Sequence, residues 1–305
     1  MRGVIISLLL FVLVLFISGC QQPGQTNVGG VDMMYIEGQP RIECIDEVGY
    51  CLGDGEEFRV GVRLKNNLPK KVVDATLCIF HTVSSSTGGV PAAKPCRTGL
   101  EVPPAQESGG NMVAGIKDEI FGPYSYIGVG RGNDETNINA ELQYPVFSTF
   151  KISDVCVKRR PSEETDFPCL SKQSFSGEGI SGEIAPVVVD RVEKNLAEEG
   201  DKAKIRLNIH LRKALQGDVV WENTGENKLE LEAVLGNNLA FFQCGNTEDG
   251  LVDFKAGTTK EIQCTAVVDM SEQSAFKEAL NIYLTHDYYV LMPTGKIKLT
   301  EDEVI

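Results

Sequence analysis

Between Ala203 and Leu211 the chain alternates apolar and polar side chains without a break. Ala203, Ile205, Leu207, Ile209 and Leu211 fall on one side of an extended backbone, and Lys204, Arg206, Asn208 and His210 on the other. Strand side chains project to opposite faces with period two, so this run fits a sheet with one face buried and does not fit a helix. The pattern recurs at Phe58–Leu64, Ile138–Tyr144 and Leu229–Ala233, and less strictly at Thr76–Phe80, Leu239–Cys244 and Ile262–Val268. Gly, Pro and Asn separate these runs, as expected of antiparallel strands joined by turns. The fold class expected is therefore all-β, built as antiparallel β-sandwiches. One segment is expected to differ. Ser271–Leu280 (SEQSAFKEAL) reads as a short helix, with Asp269 or Ser271 as its cap.

The chain has 305 residues, long for a single domain. A stretch rich in Ser and Gly, KQSFSGEGISGEIA, divides it. The expected division is a first sandwich over 33–172, a linker over 173–185 and a second sandwich over 186–305. Each half opens on an alternating strand and closes on strands carrying aromatics, Tyr144 and Phe147 in one and Tyr283, Tyr288 and Tyr289 in the other. That order resembles the immunoglobulin-like domains of cell-surface proteins. KAKIRLNIHL and FKAGTTKEIQCTAVV resemble, more narrowly, the CARDB and related adhesion modules of archaeal and bacterial envelopes. The resemblance implies two tandem immunoglobulin-like sandwiches with an adhesive or scaffolding role. Trp221 stands in a polar stretch, so the inter-sheet tryptophan of antibody domains is not expected.

At the N-terminus, Arg2 is the only charge before an apolar run from Val4 to Ile17, and Ser18, Gly19 and Cys20 follow it. A basic start, a short apolar stretch and small residues make a secretory signal. The run is marginal for a bilayer span. Ile17-Ser18-Gly19-Cys20 resembles the lipobox of bacterial and archaeal lipoproteins. The resemblance implies that residues 1–19 are a signal peptide and that Cys20 carries a lipid as the first mature residue. The alternative is an uncleaved anchor; either places residues 21–305 outside a cytoplasmic membrane. Residues 20–32 are then a lipid-anchored tether, polar and Gly-containing.

Nine cysteines are present. Setting Cys20 aside leaves an even set, Cys44, Cys51, Cys78, Cys96, Cys156, Cys169, Cys244 and Cys264. In an exported chain such a set reads as a disulfide framework. The spacing suggests local pairs, 44–51, 78–96, 156–169 and 244–264, with 244–264 joining two alternating stretches. Zinc, the other use of clustered cysteines, wants C-x₂₋₄-C spacing, and no C-x-x-C occurs among them.

With 29 basic and 43 acidic residues the formal net charge is −14, which disfavours nucleic acid and anionic membrane surfaces as partners. No G-x-S-x-G, H-E-x-x-H, P-loop or dinucleotide fingerprint occurs, and the Gly128–Gly132 run has the wrong spacing for a phosphate cradle. No catalytic residue, metal or cofactor is expected. His210 is expected to point to solvent, and His286 to sit exposed in a turn at Thr285–Asp287. Acidic residues crowd at Asp46, Glu47, Asp54, Glu56 and Glu57, and at Asn246, Glu248, Asp249 and Asp253. Neither group matches a calcium loop, and solvated turns explain both.

The most unusual segment runs from 102 to 135, long for a connection. Phe121, Tyr124 and Tyr126 stand there beside Gly and Pro. They are expected either to project as binding residues or to plug one end of the sandwich. Together these features point to a lipoprotein at the extracytoplasmic face of the cell membrane, held by lipid on Cys20. Its expected work is non-enzymatic adhesion, scaffolding or interaction with envelope or surface proteins. The alternative is an extracytoplasmic enzyme or solute-binding lipoprotein whose site has no recognisable motif.

Overall fold

The computed structural model describes residues 30–37, 50–82, 88–127, 134–162, 164–215, 217–221, 226–245, 250–254, 259–293 and 297–300. The signal peptide, Cys20, the tether before Gly30, Cys44, the Gly128–Gly132 run, Asp46 and Glu47 of the first acidic group and Asn246, Glu248 and Asp249 of the second lie outside the described residues.

What is described is nearly all strand. In chain order come β1 (Gly30–Glu37), β2 (Tyr50–Gly53), β3 (Glu57–Asn66), β4 (Val72–His81) and β5 (Cys96–Val102). A hairpin of β6 (Gln106–Ser108) and β7 (Asn111–Val113) leads to β8 (Gly115–Ser125), β9 (Asp134–Thr136) and β10 (Ile138–Lys158). Then follow β11 (Lys172–Ser176), a 3-10 turn at Gly177–Gly179, β12 (Ser181–Gly182), β13 (Val187–Glu199), β14 (Lys202–Lys213) and β15 (Asp218–Val220). The last are β16 (Lys228–Leu235), β17 (Ala240–Cys244), β18 (Leu251–Asp253), β19 (Thr259–Asp269), β20 (Ala275–Pro293) and β21 (Ile297–Thr300). Among the described residues the only parallel pair is β2 with β21.

The order β11-β13-β14-β19-β17-β16-β20-β10-β4-β5 forms one 13-stranded sheet with β12, β15 and β18 at its sides, and β1-β3-β8 forms a separate sheet. At the centre are β10 and β20, strands of 21 and 19 residues, against a usual range of about 3–10. They pair from Asn139 opposite Pro293 to Lys158 opposite Ala275. One irregularity interrupts them, between Ile152 and Val155, where Asp154 has a left-handed φ of 56°. It is a bulge that bends the ribbon and restarts its alternation.

Two hydrophobic clusters lie against this ribbon. Leu142, Tyr144 and Tyr288 join β3, β4 and β8 in one; Phe150, Ile152, Ile282 and Leu284 join β13, β14, β16 and β19 in the other. All these ribbon residues share one parity, so both clusters use one face of the ribbon. Each cluster is closed by a second layer of its own, β3 and β8 over one half, and β13, β14 and β19 over the other.

The all-β expectation holds in the described residues, as do the alternating strands at 58–64 and 203–211. The expected division of the chain does not describe the cores. Tyr288, Ile297 and Leu299 complete the cluster of residues 52–146, while Phe150 to Val157 belong with residues 175–284. Nor is 173–185 a bare spacer, since β11 pairs β13 and β12 pairs β10. The tether also ends earlier than expected, at the start of β1. The helix expected over 271–280 is absent. Ala275–Lys277 pair with Lys158–Cys156, and Leu280 with Leu235. Pairing with β10, joined by β16 from Leu280, outweighs a helix propensity of a few tenths of a kcal/mol per residue. The cap signal survives as a turn, in which Asp269 Oδ1 accepts the Ser271 N–H at 2.9 Å.

Three disulfides close pairs expected from spacing, Cys78–Cys96, Cys156–Cys169 and Cys244–Cys264. Cys51 is also disulfide-bonded, to a residue outside those described. Cys78 and Cys96 are directly opposed across β4 and β5. Cys244 and Cys264 are opposed across β17 and β19, the pair that links the two parts of the large sheet. Loops of 13–20 residues give about 3 kcal/mol each in the chain-entropy account.

Because β10 and β20 serve both clusters, Leu142→Ala in one and Ile282→Ala in the other should each cost roughly 2–5 kcal/mol. Scanning calorimetry should show one shared transition that moves in both variants. Two transitions, each moved by only one substitution, would contradict the shared ribbon.

Candidate functional site

Along one side β10 is paired throughout by β20; along the other it is not. On that side β4 pairs Ile138–Gln143, and β12 pairs Phe150 and Lys151. No described strand pairs residues 144–148 there, although β10 continues through them. Two local features end the β4 ladder. Asp74 has a φ of 53°, a left-handed kink two residues before Thr76, the partner of Gln143. Pro145 on β10 has no N–H to offer a partner. A proline inside a central strand is thus explained: it stands where the strand is an edge.

The alternation of backbone groups shows what faces the opening. The Ile79 N–H bonds to Pro95 O, so odd residues of β4 face away from β10 and its even residues, Thr76 and Cys78, face it. Their partners Gln143 and Glu141 are odd. By strict alternation, Pro145, Phe147 and Thr149 turn their backbone groups to the same side. Two bonds agree with this. Glu183 N–H donates to Thr149 O at 3.3 Å, and Lys70 Nζ donates to Phe147 O at 3.3 Å.

The opening is a cleft of about 650 Å³. Tyr144, Val146 and Val72 line its core side. At its mouth stand Val73, Phe147 and Ile184, which are 41%, 52% and 59% exposed. Lys70 spans it, 3.5 Å from Glu183 Oε2 and 5.7 Å from the Phe147 ring centroid. As an exposed pair this contributes little to stability. Both walls are held from behind. Buried Asn66 donates to Lys70 O and Pro103 O at 2.8 and 3.0 Å and accepts the Leu68 N–H at 2.9 Å, which shapes the loop 66–71. On the other wall Gly182 lies over the Phe150 ring so closely that a Cβ would sit 2.2 Å from it.

Beside the cleft, midway between the two clusters, the ribbon face turns polar. His286 opposes Val146, and Ser148 follows on the same face. His286 is 1% exposed, with neither ring nitrogen in a hydrogen bond; Ser148 Oγ and Tyr288 OH are likewise buried without a partner. Burial alone pushes the His286 pKa down to about 4. The expectation of an exposed turn here is corrected, because Thr285–Asp287 are mid-strand in β20. Lys194 is another buried titratable side chain, 1% exposed. Its Nζ donates to Cys156 O at 2.6 Å and lies 3.5 Å from Cys156 Sγ. Burial, and then the charge of Lys158, lower its pKa to about 8.

The aromatic residues expected at a loop tip are elsewhere. Phe121 and Tyr124 belong to β8, and Tyr126 forms a bridge to Gly88. Phe121 and Tyr126 are buried and Tyr124 half-buried. The Tyr126 ring stacks on Phe58 at 5.3 Å, and its OH lies 3.3 Å from His81 Nδ1. The plug reading describes these rings, and the projecting one does not. The segment gains order by pairing with β3, from Glu57 opposite Ser125 to Asn66 opposite Gly115, a distant partner that local composition does not reveal. His210 faces outward as expected, 3.9 Å from Glu193. Of the acidic groups, Glu56 closes a turn by accepting the Gly53 N–H at 2.7 Å. Among the described residues no group of three or more His, Cys, Asp or Glu is placed to hold a metal.

Sequence reading missed the cleft. The only signal was Pro145 within an alternating run, with Asn66-Asn67-Leu68-Pro69 before β4. No family model matches the chain, and no curated protein does.

Two outcomes are expected. Tyr126→Ala should cost about 3–5 kcal/mol in chemical denaturation, as for other large core rings, and Tyr124→Ala less. For His286, the unfolded chain takes up its proton near pH 6.5, before the folded one does near 4. Its contribution is therefore complete above pH 6.5 and is lost as pH falls towards 4. Relative to its effect at pH 7.5, His286→Leu should gain roughly 2 kcal/mol at pH 5 over wild type. An identical pH slope in the two proteins would contradict the buried neutral imidazole.

Proposed function

We propose that this chain is an exported lipoprotein, held by lipid on Cys20 at the extracytoplasmic face of a membrane, and that it works as a non-enzymatic adhesion or protein-interaction module. On this reading its two clusters are immunoglobulin-like sandwiches of the CARDB-like kind. The observation that carries the interaction role is the cleft: an apolar stretch of open sheet edge, facing solvent, with both walls braced. Disulfides on a β scaffold support export, since such bonds persist in oxidising compartments. The lipobox-like Ile17–Cys20 supports the anchor. An acidic chain suits a protein or a neutral ligand better than nucleic acid. A cleft of this size would also suit a small apolar solute, which is the alternative reading.

Anchoring is tested by mass spectrometry of the membrane-extracted protein. The expected N-terminal peptide begins at Cys20 and carries a diacylglyceryl thioether. An intact N-terminus at Met1 with a free Cys20 thiol would overturn it.

A further inference from the structure

We propose that the cleft is a strand-docking site: it takes a short, extended, uncharged peptide segment that pairs with β10 between β4 and β12. The proposal deepens the interaction role above and rests on it. Four observations carry it.

The first is the backbone. The Phe147 N–H and C=O and the Pro145 C=O are turned to the open side, so a strand laid there would find one donor and two acceptors in ladder spacing. The second is direction. Both flanking strands, β4 and β12, run antiparallel to β10, so an incoming antiparallel segment would complete a row whose two ends already exist. The third is side-chain alternation. A strand in that row would send alternate side chains to the core-side wall of Tyr144, Val146 and Val72 and to the mouth of Val73, Phe147 and Ile184. That two-sided apolar pattern is what an added strand uses for specificity, while main-chain bonds supply affinity.

The fourth is how the edge is guarded when nothing occupies it. Native sheets blunt open edges with proline, lysine and bulges, and all three are here as Pro145, Lys70 and the Asp74 kink. Lys70 is the movable member. Its bond to Phe147 O is long, its partner Glu183 is exposed, and its side chain is more than half exposed. A peptide N–H displacing it would leave the lysine paired with Glu183 in water. Lys70 is offset by Glu183 at the mouth, and Lys71, the third charged residue of the lining, is paired with Glu101, so the cleft holds no unpaired charge to attract an ionic ligand and the peptide is accordingly uncharged. The gap between the flanking ladders spans Tyr144–Ser148, which sets the paired part of the docked segment at about five residues.

The test uses the full chain in lipid nanodiscs and a fluorescently labelled, end-capped hexapeptide of alternating valine and threonine, followed by polarisation. Saturable binding is expected. Two further peptides carry N-methyl groups on one or the other alternate set of amides. One of the two should bind at least tenfold more weakly and the other should bind nearly as well, because only one set faces β10. Ile184→Glu, at an exposed position, should weaken binding at least tenfold with an unchanged melting temperature. Absence of binding, or equal binding of both methylated peptides, would overturn the proposal. Equal binding with displacement by a fatty amide would assign the cleft to an apolar solute instead. None of these results depends on the lipid at Cys20, so failure of the docking site and failure of the anchor are distinguishable.

Discussion

The ladder between β10 and β20 carries the rest of the structure. It is a single antiparallel pairing, interrupted once at Asp154, and both hydrophobic clusters rest on the same face of it. Neither cluster closes without residues from the far part of the chain. Tyr288 and Leu299 reach back into the core of β3, β4 and β8, while Phe150 and Ile152 reach forward into that of β13, β14 and β19. Such long-range pairing costs loop-closure entropy before it gains contacts. The three local disulfides act on the unfolded side of that balance, shortening the free chain within each part.

A ribbon that serves two cores must pass between them, and there the structure is least satisfied. On the inner face His286 and Ser148 sit buried without partners, at the step where one cluster ends and the other begins. At one edge the same step leaves residues 144–148 without a neighbouring strand. The two features share one place: the step where one cluster ends and the other begins, with the flanking strands β4 and β12 stopping on either side of it. A buried unpaired imidazole costs free energy, and an open edge invites association. Both are tolerated where a cleft whose walls are braced by Asn66 and Gly182 is kept open.

Much of the fold was legible in local pattern. Ala203–Leu211 and Phe58–Leu64 alternate so cleanly that only a half-buried strand fits them, and cysteines 13–20 residues apart across turns suggest local pairs. Less legible were features set by distant partners. Pro145 and the Thr285–Asp287 stretch each look like a break, so local pattern suggests shorter strands and a turn at His286 where two long strands run. Residues 271–280 carry helix-like composition, and only the distant β10, opposed from Lys158 to Ile152, makes residues 275–280 a strand. Phe121 and Tyr126, surrounded by Gly and Pro, resemble a loop until β3 is laid beside them. The cleft was hidden for the same reason: an absent strand pairing leaves no local composition to read.

The claim that one ribbon makes the two parts a single folding unit is tested most directly by dividing the chain where composition divides it. Residues 33–172 and residues 173–305 would be produced separately in oxidised form, and amide spectra recorded for each alone and for the mixture. The shared ribbon predicts poorly dispersed spectra for the separate segments and a dispersed, folded spectrum on mixing, as β20 finds β10. A well-dispersed spectrum for either segment alone, unchanged by adding the other, would contradict it.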